Sequence, residues 1–276
     1  MTKYRTAICQ MDSGDDKSEN LKMAEVMIDE AAAHGADLLV FPETVNYMGR
    51  RPREQAEPIP GETTCFFARK AREKQVWIVT GSFPERVEGQ NPKNTLALID
   101  PQGNIRCTYS KLHMFDVEIP GRKPYRESAL NTAGEEIVLA DTELGCLGFA
   151  ICYDLRFGEM FRLMALGGAK VIFLPSSFTR ETGQAHWEAL IRARAIENGV
   201  YIVAANQTGE KYNMNAYGNS MIVDPWGRIL ARAGDEPCCI YAEIDPGYAD
   251  EVRMQIPSLK NRRTDIYECT GNLIRK

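Results

Sequence analysis

The sequence predicts a mixed α/β chain whose sheets contain both parallel and antiparallel strands. Apolar strands alternate with amphipathic helices along most of the 276 residues, a pattern that calls for parallel crossovers. Hairpin signals interrupt the alternation and call for antiparallel pairs. No linker-like stretch divides the chain, so residues 1–276 read as one domain.

The elements follow in order. YRTAICQM (4–11) reads as a buried strand. Residues 20–34 place Leu21, Ala24, Ile28, Ala31 and Ala32 on helical spacing, and Gly35 ends the helix. ADLLVFP (36–42) is a second strand stopped by Pro42, and a helix over 62–74 leads into a strand over 76–83. Residues 94–100 and 104–111 form a hairpin about Pro101-Gln102-Gly103. A long loop (113–134) precedes a strand pair, EIVLAD (136–141) and GCLGFAIC (145–152). A helix over 157–169, closed by Gly167-Gly168, hands over to a strand over 170–178. Then come a helix over 185–199, a strand over 200–206, a hairpin over 219–234 about Asp224-Pro225-Trp226-Gly227, and a strand over 238–245. Residues 248–276 hold a short helix and a polar stretch, read as a C-terminal interaction arm.

Composition narrows the partners. A net charge of -5, a pI near 5.5 and scattered basic residues recommend no nucleic-acid partner. No apolar run approaches the roughly 18 residues of a membrane span, and the opening MTKYRTAICQM lacks the apolar core of a secretory leader. Eight cysteines in a chain this long do not read as a disulfide framework, and Cys9, Cys146 and Cys152 lie in or at the ends of apolar runs. A reducing, cytoplasmic setting is expected. There is no C-x-x-C or H-E-x-x-H, and the adjacent Cys238 and Cys239 fall on opposite faces of a strand, so no metal is expected. Without a Walker loop or G-x-G-x-x-G, no nucleotide cofactor is expected either.

Three apolar strands run out onto reactive residues: LLVFPE onto Glu43, IRCTYSK onto Lys111 and LGFAIC onto Cys152. Open α/β sheets bind ligands beyond the carboxyl ends of their strands, so such residues can converge. Each alone is ordinary, since a Glu after Pro is usually solvated and a Cys after a strand usually inert. Together their chemistry is complementary. A thiol needs a base to take its proton or a cation to steady its anion. Glu43 could serve as that base and Lys111 as the cation where an oxyanion develops. A Cys–His pair is the weaker reading, because His34 ends an early helix, His186 opens another, and His113 alone falls near the lysine.

The combination of VFPET, YSKLHMFD and ICYDLRF resembles the nitrilase superfamily of carbon–nitrogen hydrolases. SSFTRETGQAHWEALIRARAIEN and YGNSMIVDPWG extend the resemblance over nearly the whole chain. It implies a four-layer α-β-β-α sandwich that pairs into a homodimer, and a Glu-Lys-Cys triad falling on Glu43, Lys111 and Cys152. It also implies a supporting glutamate, matched by Glu127 in PYRESA, and an oxyanion hole completed by the backbone N–H of Tyr153. Cys-Tyr-Asp points to the amidase branches rather than to true nitrilases. KLHMFDVEIPG, RES and QIPSLKNRRTDIY are most similar to the Nit branch, which includes omega-amidase and deaminated-glutathione amidase. Gly158 and Asn219 depart from the usual Pro and His.

The resemblance therefore implies a thiol-dependent amidase acting on a small carboxylate-bearing amide through a thioester, with no cofactor. An N-carbamoyl amine amidohydrolase and a non-catalytic binding protein are the alternatives. A distal carboxylate calls for a cation, and Arg156, Arg126 and Arg180 are the candidates, with Phe178 as an apolar wall. For Arg156 the competing reading is an internal ion pair with Asp154 or Glu159.

Overall fold

The computed structural model describes residues 2–118 and 125–276. In chain order the strands are β1 (Tyr4–Gln10), β2 (Leu38–Val40), β3 (Trp77–Glu85), β4 (Lys93–Ile99), β5 (Ile105–Ser110), β6 (Asp116–Val117), β7 (Tyr125–Arg126), β8 (Ile137–Thr142) and β9 (Gly145–Phe149). They continue as β10 (Val171–Phe173), β11 (Tyr201–Ala204), β12 (Thr208–Glu210), β13 (Asn215–Tyr217), β14 (Met221–Val223), β15 (Ile229–Arg232), β16 (Cys238–Ile244) and β17 (Leu273–Arg275). One sheet has the order β16-β1-β2-β3-β4-β5 and the other β15-β14-β11-β10-β9-β8-β17. Both are mixed: β2 runs parallel to β1 and β3, while β3, β4 and β5 are antiparallel.

Strand alternation sets the layers. Tyr4, Ile8, Leu38, Val40, Trp77, Val79, Leu96 and Leu98 of the first sheet join one buried cluster with Leu147 and Phe149 of the second. The intervening Ala7, Cys9, Leu39, Ile78, Ala97 and Ile99 pack in a separate cluster with α1 (Lys17–Ala33) and α2 (Glu62–Lys74). Helices α3 (Gly158–Leu166) and α5 (Glu188–Asn198) cover the second sheet through Phe161 and Ile191. The result is α-β-β-α, with both faces of each sheet buried.

Several boundaries differ from the sequence reading. Helix α1 begins three residues earlier because Asp16 caps it, accepting from the N–H groups of Ser18 (2.8 Å) and Glu19 (3.1 Å). The helix expected from residue 185 starts at Arg180, through a short α4 (Arg180–Thr182) and a wide turn over Gly183–Trp187. The strand expected to end on Cys152 stops at Phe149. The β6/β7 and β12/β13 hairpins carried too little apolar pattern to be seen. In the tail, α6 (Pro246–Gln255) is followed by exposed chain, and β17 then adds in parallel to β8 at a sheet edge. Residues 119–121 of KLHMFDVEIPG lie outside the described residues.

Candidate active site

Glu43, Lys111 and Cys152 all lie just past the carboxyl ends of strands: β2, β5 and β9. A bulge in β3 makes room for the first. Gly81 has φ +71, and a Cβ there would stand 2.1 Å from the Pro42 carbonyl oxygen. Only glycine lets the chain before Glu43 lie this close. Thr44 follows with φ 57 and Cys152 has φ 49, so two left-handed non-glycine residues flank the site. Such conformations cost of order 1–3 kcal/mol and persist only where surrounding contacts enforce them. At Cys152 the contact is its N–H donating to the Pro175 carbonyl at 2.9 Å.

The charges are sealed. Lys111 Nζ donates to Glu43 Oε1 at 3.0 Å and to Glu127 Oε1 and Oε2 at 3.1 and 2.9 Å. All three side chains are buried. Burial works against the ammonium, but the Glu127 and Glu43 charges outweigh it and hold Lys111 well above its ordinary value. Glu43 Oε1 also accepts from Asn94 Nδ2 (2.8 Å), and Gln207 Nε2 holds its backbone carbonyl (2.9 Å). Glu127 is fixed by the Phe115 N–H (2.6 Å) and by Asn131 (3.4 Å).

Burial, then the Glu43 carboxylate, push the Cys152 thiol well up; Lys111 and the Ser177 N–H pull it down. The residue as a whole is only partly buried, while the thiol's ionisation follows its dry surroundings. A resting thiol that feels a carboxylate, an ammonium and a backbone donor can lose its proton to the first. It can then meet a polarised carbonyl at the others. The N–H groups on either side of Tyr153 are taken, Cys152 by Pro175 and Asp154 by Ile151 (3.1 Å).

The three arginines part company. Arg126 stands 3.9 Å from Glu118 and Arg180 3.3 Å from Asp235, both well exposed. Arg156 makes no ion pair with Asp154 or Glu159 among the described residues. Its guanidinium lies over the rings of Phe178 (5.5 Å) and Tyr153 (5.8 Å), with His186 Nδ1 at 3.4 Å. Phe178 is buried against Trp187, ring centroids 4.8 Å apart. Asp154 bonds instead to Tyr109, Ile151 and His113. Asn219 adopts φ 54, which asparagine tolerates, and binds Asp235 and Arg232 rather than any of the three central side chains. A Cβ at Gly158 would approach the Arg194 guanidinium at 3.1 Å, so the glycine leaves room for that side chain.

Sequence reasoning passed over Asn94, Gln207 and Ser177. For Asn94 a signal existed: the 94–111 hairpin brings its open ends together, and the Lys111 N–H does donate to the Asn94 carbonyl at 2.8 Å. Gln207 and Ser177 arrive from the second sheet and had none. Two surface hollows of about 420 and 440 Å³ open elsewhere, beside Asp12, Asp15 and Asp16 and beside Pro60 and Cys65. Neither joins a nucleophile to a base and a cation.

Comparison with known proteins identifies the family. Residues 5–254 match the family model described as carbon-nitrogen hydrolase. A deaminated glutathione amidase of Synechocystis is 43% identical over 269 residues, 95% of this chain and 99% of the relative. An omega-amidase of Danio rerio is 37% identical over 270 residues, 97% of each chain. The crystal structure of Saccharomyces cerevisiae Nit3, a member of branch 10 of the nitrilase superfamily, superposes with a TM-score of 0.86 at 32% identity, covering 95% of this chain and 97% of that one.

Proposed function

Since this chain belongs to the carbon–nitrogen hydrolase family and is an amidase acting on carbon–nitrogen bonds other than peptide bonds, we propose that Cys152 is its nucleophile, Glu43 its general base and Lys111 the cation that meets the oxyanion. The observation that carries this reading is Lys111 Nζ at 3.0 Å from Glu43 Oε1, with the charges of both acting on the Cys152 thiol. Glu43 takes the thiol proton as sulfur attacks the acyl carbon, and returns it to the departing nitrogen. The oxyanion is held by Lys111 and by the Tyr153 N–H, its neighbouring N–H groups being already spent. Water, deprotonated by Glu43, then clears the thioester. Glu127 holds Lys111 in place through two hydrogen bonds.

The substrate in this reading is a small amide with a distal carboxylate: deaminated glutathione or the omega-amide of a keto or dicarboxylic acid. Relatives of both names match at comparable identity. Arg156 is assigned to the carboxylate because no carboxylate of the described protein claims it, and a guanidinium grips one bidentately. Phe178 backs it as an apolar wall, with Arg126 and Arg180 at the rim. The enzyme is placed in the cytoplasm, where free thiols persist. Residues 1–276 are read as one domain forming a homodimer, with 248–276 contributing to the contact; light scattering giving a monomer mass would refute that.

A panel of amides tests the activity: deaminated glutathione, the omega-amide of a keto dicarboxylic acid, a neutral amide and a carbamoyl amine. Ammonia or amine release from the first two is expected. Release of carbon dioxide with ammonia from the carbamoyl amine alone would replace this reading with the carbamoyl one. Arg156→Ala is expected to raise KM for the carboxylate-bearing amide about tenfold or more, the scale of a charge-assisted pair, and to leave the neutral amide unchanged.

A further inference from the structure

We propose that Asp154 is a positioning residue that holds Lys111 and Cys152 in register, using Tyr109 and His113 as its anchors on the lysine side. The inference rests on the roles given to Lys111 and Cys152 above. Sheet pairing leaves their register open. Lys111 follows β5 of the first sheet and Cys152 follows β9 of the second, and no ladder joins those strands.

Asp154 supplies the missing link. It has no exposed surface, and both its oxygens are fully used. Oδ2 accepts from the Tyr109 hydroxyl at 2.7 Å and from the Ile151 N–H at 2.8 Å. Oδ1 accepts from the His113 N–H at 3.1 Å and from His113 Nδ1 at 2.7 Å. Tyr109 and His113 stand two residues before and two after Lys111. Ile151 precedes Cys152, and Asp154 follows it by two. One carboxylate therefore ties both exits of the lysine segment to both flanks of the cysteine turn.

Two further contacts stiffen the tie. The His113 ring stacks on Phe157 of the same turn, 3.5 Å between centroids at 7°. The Tyr109 hydroxyl also accepts the Leu112 N–H at 3.3 Å. A carboxylate this dry is costly unless every lone pair is answered, and here the donors come from just the two segments that must stay aligned. Misplacing a catalytic group by about 1 Å can cost on the order of 10²-fold in rate.

The test uses His113→Ala and Tyr109→Phe, which remove one anchor each. His113→Asn serves as rescue, since its amide nitrogen can reach where Nδ1 donates. Asp154→Ala is avoided because its loss strands four donors and threatens folding. Two readouts apply: kcat and KM per titrated Cys152, and the rate of iodoacetamide alkylation at Cys152 followed by peptide mass spectrometry. His113→Ala is expected to lower kcat about tenfold or more with KM within about twofold, and to slow alkylation several-fold. Tyr109→Phe should do the same more weakly, and His113→Asn should recover most of both. A purely structural role would lower the melting temperature and the titrated fraction but leave both rates per titrated site unchanged, which overturns the proposal. If the wild type alkylates at Cys152 but hydrolyses no amide, the amidase reading fails, while the alkylation rates still judge the clamp.

Discussion

Lys70 and Lys111 bury their side chains to the same depth, each 2% exposed, and each meets several carboxylates. They are not equivalent. Lys70 on α2 pairs with Asp29 (2.7 Å), Glu25 and Glu73 (both 3.3 Å), whose side chains remain 47%, 41% and 46% exposed. Lys111 pairs with Glu43 and Glu127, exposed by only 6% and 7%. In both, burial opposes the charge and the acids outweigh it, so both ammonium groups are held above their ordinary value. What separates them is where the acids stand. Water and salt share the charges around Lys70, whereas those around Lys111 act on one another, and on whatever enters, through a dry medium. The difference teaches that two lysines of equal exposure can have unequal electrostatic surroundings, because the exposure of their partners sets how far water screens them.

The largest expected effect breaks the comparison at its strongest point. Lys111→Met is expected to reduce amide hydrolysis by about 10³-fold, the upper end of what loss of an oxyanion donor costs. Cys152→Ala removes hydrolysis altogether with the fold retained by circular dichroism, and Lys70→Met keeps kcat within about twofold. Equal losses for the two lysines would show that burial of the cation is all that matters. Glu43→Gln comes next, with kcat down about 10²–10⁴-fold, since a neutral amide cannot take the thiol proton. Glu127→Gln, acting through Lys111, is expected to cost nearer tenfold; steady-state kinetics separates the two acids.

The smallest effect lies in stability. Lys70→Met is expected to cost about 0.5–1 kcal/mol by urea denaturation, the worth of a largely solvated network. Its pH dependence has a defined sign. The hydrogen bond from Lys70, with Lys74 assisting, holds Asp29 below its ordinary 3.8. A depressed carboxyl contributes stability above its unfolded value and loses it as pH falls through the lower folded one. The gap between wild type and Lys70→Met should therefore be steady near neutrality and close as pH drops below 3.8. A gap that widens in acid would contradict this account of the surface network.

Much of this was legible in the sequence, unevenly. Helix α2 fell where its pattern placed it, over Glu62–Lys74, and the hairpin about Pro101-Gln102-Gly103 paired as its turn requires. Glu43, Lys111 and Cys152 stood out because each follows an apolar strand whose period needs no tertiary information. The short β12 and β13 strands stayed hidden for want of such a period, as did the polar first turn of α1 behind its Asp16 cap. Arg156 looked from its spacing like a partner for Asp154. In space the aspartate turns toward the lysine segment and the arginine toward aromatic rings.

By itself the sequence determined the alternation of elements and the placing of Glu43, Lys111 and Cys152 after apolar strands, which depend on local order along the chain. Only the tertiary structure decided that Lys111 is sealed between two carboxylates while Lys70 is not. It alone set Asn94 and Gln207 on Glu43 and gave Asp154 to Tyr109 and His113. Those outcomes depend on which ends of two sheets face each other across about 10 Å of packed side chains, a distance that no spacing along a single strand encodes.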